Sequence, residues 1–356
     1  MYKILVINPG STSTKIAVYE DEKCIFSQKV EHSVQDLDSH PNFMDQLQFR
    51  RKNIVECLEN SGFQRSDFSA IAARGGILPP LESGTYLVTE KMVHYLKHLS
   101  PVKHVSNLAA VIAYELADGK IPVYITDPVS VDEMVPQARL SGIPEIERKS
   151  LLHALNIKAV CRKVASEFNK TYGELNFVAV HLGGGISVAA IEKGKIIDVN
   201  NANDEGPFSP ERTGELPVGD VVRMCFSGKY TKDELKKKFI GKGGLVAYLG
   251  TNDLREALSI AKVDKKADLI VQAMAYQIAK EIGGMCAILR GKVDAIVLTG
   301  GMSHSNDLVD RIRGYIYRFA PIFVVPGEFE MEALALGTLR VLRGQDIPKS
   351  WGDPNE

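Results

Sequence analysis

The sequence predicts an α/β protein of two domains built on one repeated plan, and three observations carry that expectation. Residues 3–29 read as strand, glycine turn, strand, polar hairpin turn and strand. The stretch "FVAVHLGGGISVAAIEKGKIIDV", from Phe177 to Val199, reads the same way. Laying Asn8 on His181 puts Gly10 on Gly183 and "KIAVYEDEK" on "VAAIEKGK", at an offset of about half the chain, as a duplication would leave. A chain of 356 residues, 45% hydrophobic, is also long enough for two separate cores.

The elements follow in order. Strand patterns at 3–7, 14–19 and 23–29 form a meander, with "YEDEK" as its hairpin turn. A helix is expected from Phe43 to Asn60, stopped by "NSG". "SAIAARGG" and "TYLVT" read as strands, "NLAAVIAYELADG" as a helix and "PVYITD" as a buried strand closing on Asp127. Ser150 is expected to N-cap the next helix, "SLLHALNIKAVCRKVASEF". After the second meander come a long small-residue helix over 264–289 and a third strand-to-glycine junction, "AIVLTGGMSHSNDLVDRI". A final helix, about 331–343, is too apolar for a free tail and must dock on a domain. The expected domains are therefore 1–150 with about 331–356, and 151–330. Two glycine turns facing a cleft would hold nucleotide phosphates by backbone N–H groups and hydroxyls from both sides. That arrangement, a duplicated βββαβαβα core, resembles the actin-like fold of sugar kinases and heat-shock ATPases.

Composition excludes several classes. A formal net charge of −1 gives no electrostatic case for a nucleic-acid or anionic-membrane partner. Five scattered cysteines without a C-x-x-C pair suggest neither a disulfide framework nor a zinc site, so a reducing cytoplasm is expected. No apolar run reaches the roughly 20 residues that span a bilayer.

"NPGSTSTK" offers Ser11, Thr12, Ser13, Lys15 and free turn amides to an anion, although it could also be only a polar turn. It lacks the P-loop lysine and no helix follows. In "HLGGGIS", Gly183, Gly184 and Gly185 close a strand, where glycine permits close approach or positive φ. His181 just before them could donate to a developing phosphoryl charge, or be a core histidine bonded to a carbonyl. Arg74 in "AARGGILPP" and Arg212 in "SPERTGELP" suit bidentate clamping of carboxylate or phosphate. Asp127 ends a buried strand, a favoured place for a catalytic carboxylate, or serves as an N-cap. "PGEFEME" holds Glu328, Glu330 and Glu332, one of which could serve Mg²⁺. "GKGGLVAYLG" has its glycines and lysine in the wrong order for a Walker loop. "TNDLRE" is an N-cap leading into a helix, from which Asp253 and Arg255 could touch a nucleoside.

Seven motifs in order, "NPGSTSTK", "RGG", "HLGGGIS", "ERTGELPVGD", "TNDLRE", "DAIVLTGGMSHSN" and "VPGEFEMEALALG", resemble the acetate and butyrate kinase family almost end to end. Within it, "ARGGILPPLESGTY", "HVSNLAAVIAYELA", "TDPVSVDEM" and "HALNIKAV" are similar to the butyrate kinase branch. The resemblance implies the actin-like fold and phosphoryl transfer between ATP and a short carboxylate, giving acyl phosphate and ADP; the working expectation is a reversible, direct in-line transfer without a phospho-enzyme. Its implied cofactors are ATP/ADP and Mg²⁺, and its implied assembly a homo-oligomer. By the same resemblance Asn8, Ser11, Ser13 and Lys15 match the first phosphate-region motif, and Arg74 and Arg212 the arginines holding carboxylate and moving phosphoryl. His181 matches the histidine stabilising the equatorial oxygens, Asp127 the aspartate at the substrate end, and His104 a second family histidine. Glu330 matches the Mg²⁺-associated glutamate, and Asp253, Arg255, Gly300, Gly301 and Ser303 match the adenosine pocket. Ile77, Leu78, Val102 and Leu108 could line an acyl pocket or belong to the core. Alternatives are an acetate or propionate kinase and, from another class, a non-catalytic nucleotide switch of the same fold.

Overall fold

A computed structural model describes residues 1–40, 43–101 and 104–352. Strands β1 (Lys3–Pro9), β2 (Ser13–Glu20), β3 (Lys23–Glu31), β4 (Ala70–Ala73), β5 (Thr85–Leu87) and β6 (Val123–Thr126) come first. Then follow β7 (Asn176–Leu182), β8 (Ile186–Glu192), β9 (Lys195–Val199), β10 (Ala295–Gly300), β11 (Ile322–Pro326) and the short β12 (Lys349–Ser350). They form a seven-stranded sheet, β12-β5-β6-β4-β1-β2-β3, and a five-stranded sheet, β11-β10-β7-β8-β9.

The repeated plan is present in full. In both sheets an antiparallel meander is followed by two strands parallel to its first: β3-β2-β1-β4-β6 has the same order and sense as β9-β8-β7-β10-β11. Asn8 faces Lys15 and His181 faces Ser187, each one residue before its strand ends. The hairpin turns agree as well, with Asp21 (φ 50°) and Lys193 (φ 46°) both left-handed.

The chain falls into two compact units, Met1–Val131 with Phe329–Glu356, and Asp132–Glu328. In the first, the residues alternating on one sheet face (Leu5, Ile7, Ile16, Val18, Ile71, Ile125) pack with helices Phe43–Asn60 and Ser106–Ala117. The opposite face receives the helix Glu330–Leu342, which does dock as its composition requires. Gly337 allows that seat, because a Cβ there would overlap the Thr126 side chain. In the second unit, Val178, Val180, Val188, Ile296 and Leu298 pack with helices Lys265–Ile288 and Asn306–Ile316, and helix Ala154–Glu167 covers the other face.

Two local expectations change. Ser150 is not the N-cap: the helix begins at Ala154 behind His153, because residues 150–153 are drawn toward the second sheet. There Leu151 O accepts Ala202 N–H and the His153 Nδ1 pairs with Ser187 Oγ at 3.1 Å. The first unit also ends earlier than residue 150. Arg148 joins the second unit through Asp198 at 3.1 Å, Glu205 at 3.0 Å and Val199 O at 3.0 Å. Glu133 likewise accepts from the fully buried Lys158 at 2.8 Å. Among the described residues no helix is long and apolar enough to cross a membrane.

Candidate active site

In the first unit, β1, the loop after β4 and the start of the final helix bring Asn8, Arg74 and Glu330 together. Arg74 Nη1 donates to Glu330 Oε2 at 2.6 Å and lies 3.4 Å from Asn8 Oδ1, while Asn8 Nδ2 donates to the same Glu330 oxygen at 2.8 Å. Of the three carboxylates in "EFEME", Glu330 is therefore the one that meets the arginine. Among the described residues the Arg74 guanidinium bonds to protein through Nη1, and its backbone N–H goes to Ile7 O at 3.1 Å.

The glycines after Arg74 are there for approach. A Cβ on Gly75 would overlap Pro128, and one on Gly76 would lie 2.7 Å from Asn107 Oδ1. Asn107 in turn accepts Ile77 N–H at 2.7 Å and donates to Ser100 Oγ at 3.2 Å, so the "HVSN" segment grips the arginine loop. His104 pairs with Ser106 Oγ at 2.8 Å. Desolvation, and then the positive field of Arg74, push its imidazole below the ordinary 6.5. Asp127 is buried at φ 40° and exchanges bonds with Gly84, its Oδ1 accepting Gly84 N–H at 2.8 Å and its own N–H reaching Gly84 O at 3.0 Å. Leu78 and Leu108 are core residues, Ile77 is half-buried, and Val102 lies outside the described residues.

The turn 10–12 joins β1 to β2. Gly10 N–H closes it onto Ser13 O at 2.7 Å, Ser11 and Thr12 are exposed, Ser13 is buried, and Lys15 is exposed on β2.

In the second unit the three glycines of "HLGGGIS" each face a different side chain, and two of them make room for it. A Cβ on Gly183 would sit 3.0 Å from His181 Nε2, one on Gly184 3.4 Å from Glu211 Oε2, and one on Gly185 would overlap the Arg212 guanidinium. None of the three has a positive φ, so close approach accounts for Gly183 and Gly185, while the contact at Gly184 is an ordinary van der Waals one. Ser209 Oγ donates to Gly184 O at 2.5 Å and accepts Arg212 N–H at 3.1 Å, pinning the two loops together. Arg212 Nη1 donates to Ala202 O at 2.8 Å; burial lowers the pKa of this guanidinium.

His181 is buried, and its Nδ1 lies 2.9 Å from Asn156 Nδ2. An amide nitrogen can only donate, so Nδ1 accepts and Nε2, on the Gly183 side, carries the proton. Asn156 also donates to Thr299 Oγ1 at 3.3 Å. The His153 ring stacks on His181, with centroids 3.9 Å apart and planes within 10°. His153 and Asn156, both inside "HALNIKAV", join His181 only in the folded chain, because their placement depends on a helix start that local capping signals misplace.

The nucleoside candidates divide. Gly300 (φ 90°) turns the chain where a Cβ would overlap Leu182, and Ser303 is buried, bonding back to Gly300 O at 2.7 Å. Gly301 faces open space. Asp253 caps the helix Leu254–Ala261 and pairs with Arg255 at 2.5 Å, which pulls its carboxyl down to about 2. Among the described residues no hydrogen bond joins that pair to 300–303. Asn252 ties the same loop to Glu211 Oε1 at 2.6 Å, beside Arg212.

The pattern described as the Acetokinase family matches residues 73–314. A protein of Thermotoga petrophila named "Probable butyrate kinase" is 61% identical over 354 residues, 99% of each chain. "Probable butyrate kinase 1" of Thermotoga maritima is 61% identical over 347 residues, 97% of each. The crystal structure of Porphyromonas gingivalis acetate kinase superposes with a TM-score of 0.79 at 17% identity, covering 96% of this chain and 100% of that one. A family pattern over two thirds of the sequence, near-complete relatives at this identity and the doubled sheet plan agree: the chain belongs to the acetokinase family.

Proposed function

We propose that the protein is an ATP-dependent carboxylate kinase whose preferred acceptor is butyrate or a related short or branched fatty acid. The observation that carries this reading is the pair of arginines. Among the described residues Arg74 and Arg212 each give one Nη to neighbouring protein oxygens, which leaves their other guanidinium donors for an oxyanion. The choice of butyrate is supported by the names of the relatives at 61% identity.

A carboxylate is already a nucleophile at neutral pH, so the reaction needs no general base. One carboxylate oxygen bonds to the γ-phosphorus as the bond to the β–γ bridging oxygen breaks, leaving acyl phosphate and ADP with no proton to move. What opposes the step is repulsion between an anion and a polyanion. Arg74, Arg212 and Lys15 supply fixed positive charge, and the amides of the 10–12 turn and the Nε2–H of His181 supply donors for charge on the equatorial oxygens.

When bound, Mg²⁺ would offset charge on the nucleotide phosphates. Among the described residues no three His, Cys, Asp or Glu side chains gather as a cage. Mg²⁺ in kinase sites is generally held by phosphates, water and one or two carboxylates. Glu330, whose Oε2 serves Arg74 and Asn8, would offer Oε1 to that hydrated ion.

The test is ADP release from MgATP across acetate, propionate, butyrate and isobutyrate, with hydroxylamine trapping of the acyl phosphate. Acid-dependent ADP release that favours butyrate or isobutyrate is expected. Equal ADP release with and without acid would sink the kinase reading, and a clear optimum at acetate would reassign the acceptor.

A further inference from the structure

Beneath the 10–12 turn lies a charge that the mechanism above does not use. Arg50, on the helix Phe43–Asn60, is fully buried. Its Nη2 donates to Ser11 O at 2.8 Å, and its Nη1 to Ser13 O and Thr14 Oγ1, both at 3.2 Å. Gln46 Oε1, one helical turn earlier, takes Nε at 3.4 Å and Nη2 at 3.3 Å. All of these partners are neutral, and among the described residues no carboxylate pairs with Arg50. Burial lowers its pKa only to about 10, so the guanidinium stays charged at neutral pH.

Arginine is almost never fully buried without a counter-charge, because desolvating a cation costs more than neutral acceptors return. If stapling carbonyls were the whole purpose, a neutral amide donor would do it without that cost. The bonds also set the direction of the turn. In a trans peptide the C=O of one residue and the N–H of the next point opposite ways. With Ser11 O drawn down onto Arg50, Thr12 N–H is turned away from it, and that N–H meets no acceptor among the described residues.

We infer that Arg50 is a positioning residue and buried counter-charge for phosphate: it turns the Thr12 amide outward and places a fixed positive charge under the anion that binds there. The inference rests on the proposed phosphoryl-transfer reading for which anion that is, namely the phosphate chain of the nucleotide.

Calorimetric titration of the whole chain with inorganic tripolyphosphate, ADP and adenosine tests it. Arg50→Gln is expected to weaken tripolyphosphate and ADP roughly tenfold while adenosine stays within about twofold. Arg50→Lys, which keeps the charge but cannot bridge both carbonyls, is expected to recover most of that loss. Unchanged tripolyphosphate binding in Arg50→Gln, or an equal loss for adenosine, overturns the inference, since the second result is what mere loosening of the fold would give. Should Arg50→Gln not fold, the natural protein decides through its slowly exchanging arginine guanidinium resonances, with Arg50 assigned by its shift in Gln46→Leu. That resonance moves on tripolyphosphate saturation if Arg50 faces the anion, and a still resonance overturns the inference. The function reading fails separately: Arg50-dependent tripolyphosphate binding without carboxylate-dependent ADP release would sink the kinase and leave this inference standing.

Discussion

Arg74 and Arg212 are mounted alike, each with one Nη on protein oxygens and glycine pressed close to its loop. Removing one group that stabilises a developing phosphoryl charge typically costs about 2.7–4 kcal/mol of barrier. Arg74→Ala and Arg212→Ala are each expected to lower kcat by roughly 10²–10³, with circular dichroism unchanged. A variant turning over within about threefold of the natural enzyme would remove that arginine from the proposed site. Both arginines could be picked out of the sequence because each stands in a loop with glycine within two residues. Arg50 could not, since the carbonyls it holds are 37 and 39 residues away and nothing local marks it as buried.

At the scale of elements, the two strand–turn–strand units use glycine differently. The first exposes Ser11 and Thr12 at a turn, whereas Gly183 and Gly185 of the second clear space for the side chains of His181 and Arg212. Gly185→Ala should act on one of them alone. Its Cβ would overlap the far end of the flexible Arg212 side chain, so the guanidinium moves and the backbone stays. Turnover is expected to fall about as far as in Arg212→Ala, with little change in melting temperature. Gly301→Ala, whose Cβ would meet open space, is the control expected to melt normally. Equal turnover in Gly185→Ala and the natural enzyme would show that the Arg212 position is not set by this contact. Strand and helix positions were readable here because periods of 2 and 3.6 are local. The Ser150 cap was not, because a stacked histidine pair and Ser187 outweigh one capping hydroxyl.

For the whole molecule, the chain's return to its first unit matters for stability. Trp351, the single tryptophan, is buried against Tyr95 with ring centroids 5.2 Å apart, and β12 extends the first sheet. Trp351→Ala is expected to cost about 3–5 kcal/mol in denaturant unfolding followed by circular dichroism; a loss under about 1 kcal/mol would mean that the tail only rests on the surface. Acid should reach the same unit through His32. Burial, and then the charge of Arg50, lower its pKa from 6.5 to about 4. The unfolded chain therefore binds a proton in that window that the folded chain refuses. The contribution is fully present above pH 6.5 and is lost as pH falls toward 4, at about 1.4 kcal/mol per pH unit. Denaturation at pH values from about 7 to 4.5 should show a shallower loss in His32→Gln than in the natural protein. Parallel curves would reject the assignment.

The sequence alone determined the duplicated plan, the order of the strands and the motifs that carry the family likeness, because each is written within a few neighbouring residues. Tertiary structure decided what those motifs are joined to. Glu330 reaches Arg74 across 256 residues, Thr299 meets Asn156 across 143, and the buried Arg50 crosses 39 to reach Ser11. No periodicity or spacing rule records such pairs. They exist because parallel strands and their covering helices bring segments far apart in sequence to the same end of a sheet.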